Sequence, residues 1–303
     1  MFQSNALTKM MQRGSQVRPR PRNGGVERLS SEHQSEVLKF LSRRPLHTVA
    51  MVGFIRDNGL VSTLNRGMFY GYRQEGRLEG VALIGHATLF ETCSDRALEA
   101  FANLAQKCTT AHMILGEQDR IEQFWSCYSE GGQELRLACR ELLFELHWPI
   151  EVHQGASDLR LATLDDLELV MPVQAQMACE ESGVNPLEKD PHGFRERCTR
   201  RVNEGRTWVW EDQGELRFKA DVISATREVI YLEGIWLNEA TRHTGEGLRC
   251  MSWLSRELLS QTKSICLLVN EKNKPAHAFY KKCGYKIRST YDTVFLSQRE
   301  SIV

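Results

Sequence analysis

The chain has 303 residues and balances 39 Lys plus Arg against 39 Asp plus Glu, for a formal net charge of +0. That balance supplies no field to draw nucleic acid or an anionic membrane, and no apolar run reaches the ~20 residues of a spanning helix. Hydrophobic content of 41% supports packed cores, and at roughly 150 residues per domain the length suggests about two of them. The nine cysteines are scattered without a Cys-x-x-Cys pair, and the nine histidines show no His-x-x-x-His spacing. Reduced thiols, a cytoplasmic location and no metal site are the expectation.

Residues 1–25 carry Lys9, Arg13, Arg18, Arg20 and Arg22 with no acid before Glu27. Poor apolar periodicity makes this a disordered basic tail; a targeting peptide or nucleic-acid arm stays open. A first domain is expected over 26–150. Ser30 and Ser31 can cap an amphipathic helix reaching Leu41, and a second helix is predicted over 46–55. Strands are predicted over 68–73, 78–85 and 86–90, then a helix over 95–106. A short buried strand at 113–115, a helix over 118–128 and a closing hairpin over 135–147 complete this half.

The order then repeats over 156–300. A strand at 159–162 leads to a helix capped by Thr163, with Asp165 and Asp166 in its first turn. Asp190 opens another helix to Asn203, and 208–211 with 216–225 form a hairpin around Gln213 and Gly214. The strand 229–237 is apolar on both faces, which predicts a central strand buried on both sides. A turn from Arg242 to Gly247 opens a helix to Leu259; a strand at 265–269, a helix to Lys282 and strands at 285–288 and 291–296 follow. The fold class is α/β with a mixed sheet, repeated in tandem. A local echo supports the repeat, since Met113-Ile-Leu-Gly-Glu117 before Phe124 and Trp125 parallels Leu267-Leu-Val-Asn-Glu271 before Phe279 and Tyr280.

Strand, glycine turn and helix N-terminus make an anion site, because the first helical N–H groups lack intrahelical partners and the helix dipole favours negative charge there. Gly245 and Gly247 allow close approach or positive φ. Arg242, Gly245 and Gly247, followed by Asn273, Ala276, Tyr280, Gly284 and Tyr285, resemble the two signature blocks of the GCN5-related N-acetyltransferase (GNAT) family. The resemblance covers about 158–297 and implies tandem GNAT-like folds with acetyl-CoA as cosubstrate. The first half has Phe90-Glu-Thr-Cys-Ser-Asp-Arg96 where its glycine turn would stand, so it reads as a degenerate copy without cofactor.

The resemblance implies acetyl transfer to a primary amine by direct attack, with small-molecule or peptide amines as acceptors and no nucleic-acid or membrane partner. A non-catalytic acyl-CoA-binding or regulatory module is the alternative. Glu233 is the candidate base: a carboxylate on a buried strand must be paired or have a raised pKa, and an ion pair with Lys219 on the neighbouring strand is equally open. The resemblance makes Tyr280 the candidate acid for the departing thiolate, against a plain core aromatic. It also implies that the backbone of Ile235, Trp236 and Leu237 pairs with the pantetheine arm, and that Arg242, His243, Thr244, Gly245, Glu246 and Gly247 surround the diphosphate. Asn270 and Asn273 are further cofactor candidates, Asn273 also as a helix cap. Two departures stand out: His243 where glycine is common, and Glu246 as an acid inside an anion-binding turn. Glu180, Glu181, Asp190 and His192 can shape an acceptor pocket or be solvated helix ends, and Lys219 with Asp221 share one sheet face, lining the cleft or pairing.

Overall fold

The computed structural model describes residues 24–150 and 158–297, so the basic tail lies almost wholly outside the described residues. The chain divides into two units, Met1–Leu142 with Ser289–Val303, and Leu143–Arg288. The division therefore differs from the expected break near 150 and assigns the last strand's end to the first unit.

In the first unit, β1 (Gly24–Arg28), β2 (Gly67–Gln74), β3 (Arg77–Gly85), β4 (Ala87–Thr92), β5 (Met113–Glu117) and β12 (Lys286–Leu296) lie in that spatial order. All pairings along this row are antiparallel except β4 with β5. Helices α1 (Gln34–Leu41) and α2 (Pro45–Asn58) contribute Val37, Leu41, Met51 and Ile55 to one core. Helices α3 (Asp95–Ala105) and α4 (Gln118–Tyr128) contribute Phe101, Ile121, Phe124 and Tyr128 to the other. Burial at the helical spacing 97, 98, 101, 102 and 105 is why α3 forms.

One expected hairpin, over 135–147, and one expected pair of strands, 285–288 and 291–296, are each a single strand. β6 runs unbroken over Leu135–Leu146, and β12 over Lys286–Leu296. Neither stretch contains the Gly, Pro or Asn that a tight reversal at mid-strand requires, and both alternate well enough to continue. The unit boundary falls inside each of them.

In the second unit, β11 (Ser264–Asn270), β10 (Val229–Leu237), β9 (Glu215–Ala225), β8 (Thr207–Asp212) and β7 (Arg160–Leu161) follow in that order, with β10 and β11 parallel. Gln213 and Gly214 take φ of 53° and 81°, the two positive values that a two-residue hairpin turn demands. Thr163 caps as expected, through a 3₁₀ turn in which Asp166 reaches back to the Thr163 N–H at 2.7 Å. Helices α5 (Leu167–Ser182), α6 (Pro186–Lys189) and α7 (Pro191–Asn203) then pack Val170, Phe194, Cys198 and Val202 against Val209, Leu216 and Trp236. Helix α8 (Glu246–Leu259) buries Met251, Leu254 and Leu258, and α9 (Lys274–Lys282) follows β11.

Candidate active site

The site begins where β10 leaves β11. Their pairing runs from Val229↔Ser264 to Leu232↔Leu267, although both strands continue. Against β9 the register steps from Glu233↔Asp221 to Trp236↔Lys219, three residues on β10 against two. One residue is therefore extra, a β-bulge, and bulges bend and twist a strand. Gly234 has φ of +59°, and a Cβ there would meet Lys219 Nζ at 2.8 Å and Asp221 Oδ2 at 2.9 Å. The expectation of a strand buried on both sides fails here: positions 229–232 are buried, Glu233 is exposed, and 234–237 are half-buried. The cause is the parting from β11, which opens the strand's far half. A glycine inside an apolar strand was the available signal for it.

Glu233 sits in that opening. Its carboxylate accepts from the Tyr231 hydroxyl at 2.5 Å. Its surface is reached by solvent, yet protein surrounds it closely on the other sides. This crowding raises its pKa, opposed by the Tyr231 hydrogen bond and the Arg201 charge. The alternative, an ion pair with Lys219, is not formed. Lys219 Nζ instead donates to Asp221 Oδ2 at 2.5 Å, Gln174 Oε1 at 2.7 Å and the Gly234 carbonyl at 3.2 Å. Asp221 also accepts from Arg201 Nη1 at 2.9 Å and Thr207 Oγ1 at 2.8 Å. Lys219 and Asp221 are buried, so they pair rather than line a cleft. Burial pushes the Asp221 carboxyl up, but Lys219 and Arg201 outweigh it and hold Asp221 below the usual carboxylate range. Sequence reading missed Gln174, Arg201, Thr207 and Tyr231 here, because they come from four different elements.

The turn into α8 fits an anion. Gly245 is the N-cap residue with φ of +93°, and the first helical hydrogen bond runs from the Arg249 N–H to the Gly245 carbonyl at 3.1 Å. The Gly247 and Leu248 amides precede that bond and point out of the helix end. Gly247 is buried, and a Cβ there would meet Leu237 Cδ2 at 2.9 Å and Phe279 Cε2 at 3.4 Å. Glu246, the acid in the turn, is ion-paired to Arg249 one turn on, and that guanidinium lies 5.9 Å from the Trp210 ring centre. His243 adopts φ of +67°. The Thr244 hydroxyl donates to the Thr241 carbonyl at 2.8 Å, and Arg242 Nε to the Leu237 carbonyl at 3.3 Å.

Asn273 is the cap of α9, its side chain accepting from the Ala276 N–H at 3.1 Å. The Asn270 side chain accepts from the Lys272 N–H at 2.9 Å, and its carbonyl lies 2.9 Å from His277 Nε2. Both side chains serve the local turn. Tyr280 is buried, with Phe144, Phe279 and Tyr285 around its ring at 5.9, 5.3 and 5.7 Å between centroids. Burial pushes its phenol well up, so it stays protonated at neutral pH. Of the proposed pocket acids, Asp190 caps α7 through the Gly193 N–H at 3.0 Å, Glu180 accepts from Gln176 at 2.8 Å, and His192 is exposed beside Glu196. Glu180 and Glu181 are exposed at the end of α5. Among the described residues no group of three His, Cys, Asp or Glu can hold a metal, and no helix is long and apolar enough to cross a membrane.

The first unit has a parallel pair at the same point in its element order. β4 and β5 pair at Ala87↔Met113 and Thr88↔Ile114. Beyond it, Arg44 bonds Glu91 at 3.2 Å and Glu117 at 2.6 Å, joining the ends of the two strands. Helix α3 begins behind Ser94, whose hydroxyl accepts from the Ala97 N–H at 3.4 Å.

Residues 173–285 match the family described as Acetyltransferase (GNAT) family. No curated protein matches the chain. Among solved structures, a Drosophila protein is 14% identical with a TM-score of 0.66, covering 90% of this chain and 98% of its own. A GNAT-family acetyltransferase from Colwellia psychrerythraea is 10% identical with a TM-score of 0.58, covering 90% and 99%. A tandem GNAT protein of the clavulanic acid biosynthesis pathway is 12% identical with a TM-score of 0.56, covering 92% and 99%. At such identities these likenesses speak for the fold, and the tandem α/β arrangement is the one expected. Parted parallel strands, a glycine turn and a free helix N-terminus all fall inside the matched segment, and residues 173–285 are a domain of the GNAT acetyltransferase family, a family of acyl transfer.

Proposed function

We propose that the second unit transfers an acetyl group from acetyl-CoA to a primary amine, directly within a ternary complex and without a covalent enzyme intermediate. The observation that carries this reading is the parting of β10 from β11 after Leu232, with Glu233 exposed at the parting and the Gly245–Gly247 turn at the following helix. The residues fit the cosubstrate: a strand edge at 233–237 that pairs with no strand on that side among the described residues, for an added strand, and helix amides with Gly247 seated against Leu237 for a diphosphate. When bound, acetyl-CoA supplies an activated thioester carbonyl.

Removing a proton from a lysine-like amine at pH 7 costs about 4–5 kcal/mol. Glu233 accepts that proton, directly or through a water, and its raised pKa suits a base working near neutrality. A backbone N–H of 235–237 would face the acyl oxygen of bound acetyl-CoA and stabilise the charge that develops there. Tyr280, kept protonated by burial, gives its proton to the leaving sulfur. Arg242, His243, Thr244 and Glu246 frame the diphosphate turn; the Glu246–Arg249 pair removes most of the repulsion that an acid at this place would exert. Asn270 and Asn273 act by shaping the turn before α9.

The strained φ of His243 favours a second reading, an acyl-CoA-binding module without turnover. Calorimetry with acetyl-CoA, joined to thiol release with a panel of primary amines, separates the two. The transferase binds acetyl-CoA and releases thiol with at least one amine class, and Glu233→Gln cuts that rate about a hundredfold or more, most at low pH where the amine most needs a base. Binding without thiol release favours the module, and no binding at millimolar acetyl-CoA sinks both.

A further inference from the structure

A lysine ammonium with no exposure at all sits beneath the candidate base, and the reaction as described above does not use it. All three of its donors are spent: on Gln174 from α5, on Asp221 beside it in β9, and on the carbonyl of Gly234 in the β10 bulge. Satisfying every donor of a buried ammonium is what keeps such a charge tolerable. Its neighbour Asp221 is likewise saturated, by Lys219, Arg201 and Thr207. Asp221 stands directly opposite Glu233 in the register, and opposed residues on paired strands share a face. The Gly234 Cα therefore lies over the cluster, where a Cβ would come within 2.8–3.1 Å of Lys219, Asp221 and Gln174.

We propose that Lys219, Asp221 and Arg201 form a positioning cluster for Glu233, pinning the bulge through the Gly234 carbonyl and fixing the charge that the carboxylate faces. The idea rests on Glu233 being the base. The groups around Glu233 are Tyr231 on its own strand, Asp221 and Lys219 on β9, Arg201 on α7 and the thiol of Cys266 on β11, while the thiol of Cys198 on α7 faces Arg201, Asp221 and Lys219 of the cluster. Burial pushes both thiols up, so they are uncharged near neutrality. Two cations and one anion of the cluster then face the carboxylate. Removing Lys219 or Arg201 withdraws a cation and makes ionisation of Glu233 harder. Removing the Asp221 charge leaves two unopposed cations and makes it easier. A cluster that merely fills space predicts no such opposition.

The test follows the carboxyl carbon of Glu233 by ¹³C NMR against pH in the full chain, assigned by its loss in Glu233→Gln. Expected are a midpoint raised in Lys219→Met and lowered in Asp221→Asn, each on the order of one pH unit. Should the buried variants fail to fold, Arg201→Gln, at a side chain that is 28% exposed, must raise the midpoint in the same sense as Lys219→Met. Midpoints that stay put, or move the same way in cation and anion variants, overturn the proposal. The readout needs no acceptor and no turnover, so the base role is judged separately by the pH–rate profile of Glu233→Gln. A profile unchanged by that substitution removes the base and the positioning role together.

Discussion

His243 holds a φ of +67° in the turn where Arg242, Thr244 and Gly245 surround it. A left-handed conformation costs a residue with a Cβ about 1–2 kcal/mol, while a glycine introduced there loses roughly 0.5–1 kcal/mol more chain entropy on folding. The balance predicts that His243→Gly is neutral to stabilising by about 1 kcal/mol, a rise in Tm of a few degrees at most. A clear loss of stability in a thermal melt would mean that the imidazole holds the turn. Glu246 shows the same scale from the other side: its charge, alarming in the sequence, is tied to Arg249 within the first turn of α8. That neighbour is visible at i+3, so the pairing was legible without coordinates.

At the scale of the element, β10 is two strands in one. Its first four residues are buried between β9 and β11, and its last five have left β11. Gly234 lies within the bulge, so a side chain there must both strain the backbone and displace charged atoms. Gly234→Ala is expected to cost about 2–3 kcal/mol, the sum of a positive-φ penalty and a disturbed buried ion cluster. Urea unfolding measures this, and a cost under about 0.5 kcal/mol would show that the bulge is soft. Apolar periodicity marked the strand, but it could not mark the parting. Whether a strand keeps its partner past Leu232 is decided by what the partner does, and β11 begins only at Ser264, beyond the whole of α8.

At the scale of the whole chain, two units of one architecture have different fates at the same place. The second leaves its parallel strands apart and its helix N-terminus open behind Gly245. In the first, Arg44 ties Glu91 to Glu117 and Ser94 already occupies an amide of α3. Glu91 is buried, and burial raises its pKa against the pull of Arg44, so an acyl arm entering there would strip a buried carboxylate of its partner. Calorimetry is accordingly expected to find a single coenzyme A site per chain. A second site of similar affinity would overturn the view of the first unit as a closed copy.

Residue type and spacing alone determined most of the helices and strands, the caps at Thr163 and Asn273, and the glycine turn, because each is set by contacts within a few residues. They also carried the likeness that the match over 173–285 confirms. What only the tertiary structure decided was charge pairing and strand continuity: Lys219 joined to Asp221 instead of Glu233, Arg44 bridging residues 47 and 73 positions away, β6 running through where a hairpin was expected, and β12 joining two expected strands. Such outcomes depend on which of several compatible partners is nearest in space, and local sequence holds no record of that distance.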